Sequence, residues 1–129
     1  MFTIEQIHTA HSKVKSGADF PAYIQELKKM GVTRYETFVE DGHTVYFGVE
    51  DYQQVSPAKY NLLTISETVN KEQFLFDLKA HQQGKTDYPT FCEDTANAGI
   101  EKWMVCMEEM TCTYIDQAGN KIVVEVIPH

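Results

Sequence analysis

The sequence predicts an α+β fold in which two tandem helix-helix-strand-strand-strand halves, residues 1–66 and 67–129, share one core on a mainly antiparallel sheet. Three observations carry that expectation. Apolar residues recur at helical spacing between cap signals, two such segments are followed by β-rich runs in each half, and a set of residues recurs at a constant separation of 68. A 65-residue unit has little interior of its own, so the halves are expected to form a single domain spanning 1–129.

In the first half, Thr3 followed by Gln6 is a capping box, with Phe2 and Ile7 at the staple positions. Ile4, Ile7, His11 and Val14 then form one stripe, and Gly17 stops the helix. Asp19 is placed to cap the second helix, Pro21 sits in its first turn, and Phe20, Tyr23, Ile24, Leu27 and Met30 line one face up to Gly31. Strands are expected over Val32–Glu40 and His43–Glu50, joined by a two-residue Asp41-Gly42 turn, with a third over Tyr60–Ile65 after Pro57.

The second half repeats this order. Asn70 with Gln73 opens a helix carrying Phe74, Leu75 and Leu78, ended by Gly84; Asp87-Tyr88-Pro89 opens another, ended by Gly99. Strands follow over Ile100–Met107, Thr111–Asp116 and Lys121–Ile127, the last two joined by a turn around Ala118-Gly119-Asn120. Asp19-Phe20-Pro21, Tyr23, Gly31-Val32, Arg34-Tyr35 and Tyr46 match Asp87-Tyr88-Pro89, Phe91, Gly99-Ile100, Lys102-Trp103 and Tyr114 without a gap. The pattern reads as an internal duplication.

Composition narrows the function. Eleven Lys and Arg against 19 Asp and Glu give a formal charge of −8, a field that repels phosphate backbones and anionic lipid, so neither nucleic acid nor membrane is an expected partner. Hydrophobic residues at 43% and charged residues at 23% are ordinary for a chain that folds without a disulfide or structural metal. Cys92, Cys106 and Cys112 have no metal-like spacing and are expected to stay reduced, which together with the lack of a signal-like N-terminus or long apolar run predicts a cytoplasmic protein.

The run from His81 to Cys92, then Gly99, Lys102-Trp103 and Thr111-Cys112-Thr113-Tyr114-Ile115-Asp116 with Gly119-Asn120, resembles a small bacterial family of unknown function, across nearly the whole chain. Its members often carry the label "phage envelope protein". The resemblance implies no activity and supplies no catalytic residues.

Several constellations carry chemistry. His8 and His11 lie three apart on one helix, the spacing of two metal ligands, but no third ligand declares itself; they read as structural and no metal or other cofactor is expected. His81, Asp87 and Cys92 offer the parts of an activated thiolate, with His81 as acid or base and Cys92 as nucleophile. The duplication aligns Cys92 with Ile24, which makes it a core thiol, and Asp87 with Asp19, which makes it a helix cap. Cys106 and Cys112 are expected on neighbouring strands.

Cys92, Thr95 and Ala98 stand where the second helix has Ile24, Leu27 and Met30, so one side of the shared core lacks bulk. Either Trp103 and the methionines 104, 107 and 110 repack it, or a pocket opens between the fourth helix and the sheet, lined by Tyr88, Trp103 and Tyr114 with His81 at its mouth. Three functions are compatible with this. The first is a non-enzymatic interaction module, self-associating through an exposed strand as a homo-oligomer, since the chain has no P-loop, dinucleotide fingerprint or nucleophile elbow. The second is a small-molecule pocket with modest chemistry, and the third, from the family label, is a phage-encoded host-modulating protein.

Overall fold

The structure, a computed structural model, describes residues 1–15 and 19–127 of the chain. Among the described residues the architecture is α+β, with four helices and a six-stranded antiparallel sheet. Helix α1 (Ile4–His11) starts on the expected capping box: Thr3 Oγ1 accepts the Gln6 N–H at 3.2 Å and Gln6 Oε1 accepts the Thr3 N–H at 2.9 Å. The stop assigned to Gly17 lies outside the described residues.

Helix α2 (Phe20–Met30) buries Tyr23, Ile24 and Leu27 and closes where the Val32 N–H bonds back to Leu27 O at 3.0 Å. Its start departs from expectation. Asp19 holds the cap position but already has helix-like φ −86° and ψ −12°, and its side chain makes no cap bond to α2; Oδ2 accepts the Lys15 N–H at 3.0 Å instead. A carboxylate caps when its own backbone is extended, as Asp87 is at ψ 173°.

Strands β1 (Arg34–Phe38) and β2 (Thr44–Phe47) pair, but not through a two-residue turn. The turn is closed instead by the Gly42 N–H on Phe38 O at 2.8 Å, while the Val39 N–H faces the other way, to Glu101 O on the neighbouring strand at 2.9 Å. Gly42 then turns at φ 77°, and a Cβ there would meet the Tyr60 ring at 2.7 Å. β2 ends at Phe47 rather than Glu50, because Glu50 and Asp51 take left-handed φ of 55° and 62° to reverse the chain.

The third strand is displaced from its expected place. β3 is Gln53–Ser56, ahead of Pro57, and 60–65 contains no strand. Pro57 cannot donate to a ladder. The segment beyond it binds the β1–β2 turn instead: the Lys59 N–H reaches Asp41 O at 2.7 Å, Leu63 N–H reaches Glu40 O at 2.7 Å, and Tyr60 OH donates to Val39 O at 2.6 Å.

Helix α3 (Lys71–Gln82) starts on Asn70, whose Oδ1 accepts the Gln73 N–H at 3.1 Å, and buries Phe74 and Leu78. Leu75, expected on that stripe, is exposed; the buried row is Phe74 and Leu78, with His81 half-buried beyond them. Helix α4 (Tyr88–Asn97) is capped by Asp87 Oδ1 from the Thr90 N–H at 2.9 Å. Gly99 follows at φ 86° with Thr68 O so close that a Cβ would lie 2.8 Å from it, which leaves glycine as the residue that fits.

Strands β4 (Ile100–Cys106), β5 (Thr111–Asp116) and β6 (Lys121–Val126) complete a sheet of order β3-β2-β1-β4-β5-β6. The central β1–β4 ladder sets Glu36 opposite Met104, which is also the residue 68 positions further along the chain. Tyr35 pairs with Tyr46 across β1–β2, and Trp103 with Tyr114 across β4–β5. These inward residues are buried against the helices, together with Ile24, Leu27, Phe74 and Phe91. The outward row is partly buried at Val45, Phe47, Met104 and Cys106 and buried at Thr113 and Ile115 on β5.

Candidate functional site

The helix-covered face gathers most of the residues that the sequence marks. Trp103 is the hub: its ring lies 6.4 Å from Tyr88, 5.9 Å from Phe91 and 6.2 Å from Tyr114 between centroids. Phe74 extends the cluster to Tyr114 at 4.9 Å. The predicted wall residues Tyr88, Trp103 and Tyr114 are therefore brought together around one indole, with Trp103 and Tyr114 buried and Tyr88 half-buried. Burial raises the Tyr114 and Tyr88 hydroxyls well above the ordinary tyrosine value.

His81 stacks on Phe91 at 4.4 Å, with the rings 14° from parallel. Its Nδ1 lies 3.1 Å from the Thr86 carbonyl oxygen. A carbonyl only accepts, so Nδ1 carries a proton in this contact. The ring is thus oriented by the loop that leads into α4. Asp87, beside it, has its carboxyl held below the usual value by the Thr90 side-chain and backbone hydrogen bonds, with the His81 charge a smaller contribution.

Cys92 does not join that pair. Its thiol is fully buried, and burial pushes it up against the opposing pull of the Tyr60 and Tyr88 hydroxyls and of Lys59. Its surroundings are phenols and an ammonium, and no hydrogen bond to His81 exists among the described residues. Such a thiol stays protonated at neutral pH. Cys106 and Cys112 lie on adjacent strands as expected but on opposite faces: Cys106 pairs with Thr111 and Cys112 with Val105. Cys112 is buried, which raises its thiol to about 12.

His8 and His11 are both exposed, the His11 ring standing edge-on to Tyr23 at 5.2 Å. Desolvation lowers the His11 imidazole, with Lys59 and His8 adding to it. Among the described residues no group of three or more His, Cys, Asp or Glu side chains is gathered so as to hold a metal ion.

Sequence reasoning missed two features. Lys59 Nζ sits 5.7 Å from the centroid of the Tyr88 ring, reached through a connection that carries no motif. Asp41 accepts the His43 N–H at 2.9 Å and meets the His43 ring at Nδ1, while that ring stacks on Phe38 at 4.5 Å. Burial works to raise Asp41, but the His43 backbone and ring hold it below the ordinary carboxyl value. The Asp-Gly-His order was a visible signal for this turn-stabilising pair.

Among the described residues no helix is long and apolar enough to cross a membrane, and no buried side-chain nitrogen or oxygen lacks a hydrogen-bond partner. No curated protein matches the chain. Residues 8–126 match the family described as protein of unknown function (DUF1398), which covers most of the sequence and places the chain in that family.

Proposed function

We propose that this chain is a non-catalytic interaction module whose docking surface is the open face of its sheet, seated against a second copy of itself. The observation that carries the reading is that the helices cover one face only. The opposite face presents Phe38, Val45, Phe47, Met104 and Cys106 half-buried, and Val55, Val124 and Val126 exposed at 56%, 56% and 73%.

Scarcity of carboxylates on this face removes one obstacle to a second copy as occupant. Two chains of −8 repel, so the surface by which they meet must be poor in carboxylates. At its paired positions this face carries Arg34, Lys102 and Lys121 against Glu36, and Glu36 is itself neutralised by Lys102 at 2.8 Å. Six strands spaced by about 4.8 Å, each about 17 Å long, project roughly 500 Å². Side-chain relief brings that toward the ~800 Å² per partner of a standard interface. Sheet-on-sheet packing is an established way of covering such a face.

The non-catalytic reading rests on the absence of an exposed nucleophile beside a base at the marked residues, and on the satisfied polar groups noted above. Sedimentation equilibrium tests it. A mass that rises from one chain to two with concentration, more readily at high salt, and falls back to one in Met104→Glu and Phe47→Glu is the expected result; a wild-type chain monomeric throughout overturns it.

A ligand pocket beside Trp103 is the second reading, favoured by the small side chains of Cys92, Thr95 and Ala98. Against it, the Phe74, Phe91, Trp103 and Tyr114 rings supply bulk on that side. We also infer that the halves descend from one duplicated unit. Its support is the register: a twofold axis through the Glu36–Met104 pair, combined with the offset of 68, carries Arg34↔Cys106 onto Phe38↔Lys102 and Tyr35↔Tyr46 onto Trp103↔Tyr114. Superposing residues 19–46 on 87–114 in an experimental structure tests it.

A further inference from the structure

We infer that the free edge of β6 is a second docking surface, separate from the open face, where β6 of another copy adds antiparallel and joins two six-stranded sheets into one. The sheet order leaves β3 and β6 with one neighbour each. The offset of 68 carries Gln53–Ser56 onto residues 121–124, so the two edges hold equivalent places in the sequence. As edges they differ. β3 has four residues and runs into Pro57, which has no N–H to offer, two of the usual ways of blunting an edge. β6 has six residues, of which Ile122, Val123, Val124 and Val126 are β-branched, and no proline.

The Ile127 N–H reaches Met110 O at 2.7 Å, which fixes the bonded side of the strand. N–H groups alternate along a strand, so Glu125 and Val123 turn theirs to β5 while Val126 and Val124 turn theirs to the open edge. Among the described residues no strand meets that edge, and the Val124 and Val126 side chains are 56% and 73% exposed. Charge points to a second copy as occupant. In a chain of −8, β6 carries one lysine and one glutamate, so its edge adds no net repulsion when two copies meet. Antiparallel addition brings the Lys121 end of one copy toward the Glu125 end of the other. A twofold axis through Val124 sets Val124 against its own copy and Val126 against Ile122, matching apolar to apolar, whereas an axis through Glu125 would oppose two carboxylates.

The test uses the ¹⁵N-labelled full chain carrying Met104→Glu, which blocks the open face and leaves the edge intact. Between micromolar and millimolar concentration, backbone exchange at the Val124 N–H should slow roughly tenfold or more, while the Val55 N–H on the blunted edge of β3 keeps its rate. Sedimentation of the same samples should show pairs at the millimolar end. Adding Val124→Pro should keep the chain single; proline is tolerated where a strand N–H faces outward, and Val126→Pro serves if Val124→Pro does not fold. A single chain throughout with a constant Val124 rate, or a folded proline variant that still pairs, overturns the edge contact. The open face is judged separately, by whether the wild-type chain pairs at concentrations where Met104→Glu does not.

Discussion

The two faces of the one sheet are built on different chemistry. On the helix side, each strand turns an aromatic or aliphatic side chain into a closed interior: Tyr35, Tyr46, Trp103, Val105 and Tyr114 are all buried. On the other side the same strands alternate to Arg34, Glu36, Phe47, Lys102 and Met104, a mixture of apolar and charged side chains, with no helix over them among the described residues. The inner face is specified by volume and shape, whereas the outer face is left to contact something else. On the function proposed above, stability belongs to the first and recognition to the second, and substitutions should separate the two.

The largest effect is expected at the hub of the inner face. Trp103→Ala removes the ring that Tyr88, Phe91 and Tyr114 pack on and should cost about 3–5 kcal/mol in chemical denaturation. Ala98→Leu comes next, at roughly 1–3 kcal/mol, because Ala98 is buried at the end of α4 with its carbonyl tied to the Asn70 N–H at 3.0 Å. A neutral or stabilising outcome there would instead reveal space beside α4. Asn70→Ala should cost about 1 kcal/mol by removing the α3 cap, with Asn70→Asp nearly silent.

Acid should act through the turns and caps. Asp87 and Asp116 have folded pKa values below the ordinary carboxyl value, through the hydrogen bonds of Thr90 and of Asn120 respectively. A depressed folded pKa contributes stability that is present above the unfolded value of about 3.9 and lost as pH falls through the folded one. Melting temperature recorded downward from about pH 5 should therefore decline, and Asp87→Asn, which still caps, should decline less steeply; parallel curves would remove Asp87 from the account. Smallest of all, Val124→Thr and Val126→Thr on the outer face should change the stability of the single chain by no more than about 0.5 kcal/mol.

Much of this was legible in the sequence because it is local. The Thr3–Gln6 and Asn70–Gln73 starts, the Asp87 cap and the α+β order are written in residues a few positions apart, and they appear where expected. What was missed depends on partners distant in sequence. β3 is a polar run, Gln53-Gln54-Val55-Ser56, that becomes a strand because β2 offers it an edge, and no periodicity announces that. The Asp41-Gly42 turn is bound by Lys59 and Leu63, whose N–H groups reach Asp41 O and Glu40 O from the connection after β3.

The candidate site was legible in part for the same reason. The 68-residue offset aligned Cys92 with Ile24, and both are fully buried; the rings of Tyr88 and Tyr114 both lie beside Trp103. Lys59 was invisible because its seat on Tyr88 is made across a connection whose path is set by backbone bonds to a distant turn. The open face was invisible because alternation reads a half-buried outward row as it reads any amphipathic strand.

The central claim, that the open sheet face is where a second copy docks, can be tested most directly with the chain's own thiols. Cys106 lies on that face and is half-buried, while Cys92 and Cys112 are buried on the helix side and act as internal references. The account predicts that a soluble alkylating reagent modifies Cys106 alone in the dilute native protein, and that its rate falls as concentration drives association, with Cys92 and Cys112 unmodified throughout. A Cys106 rate independent of concentration, measured where sedimentation shows two chains together, would put the contact elsewhere and contradict the assignment.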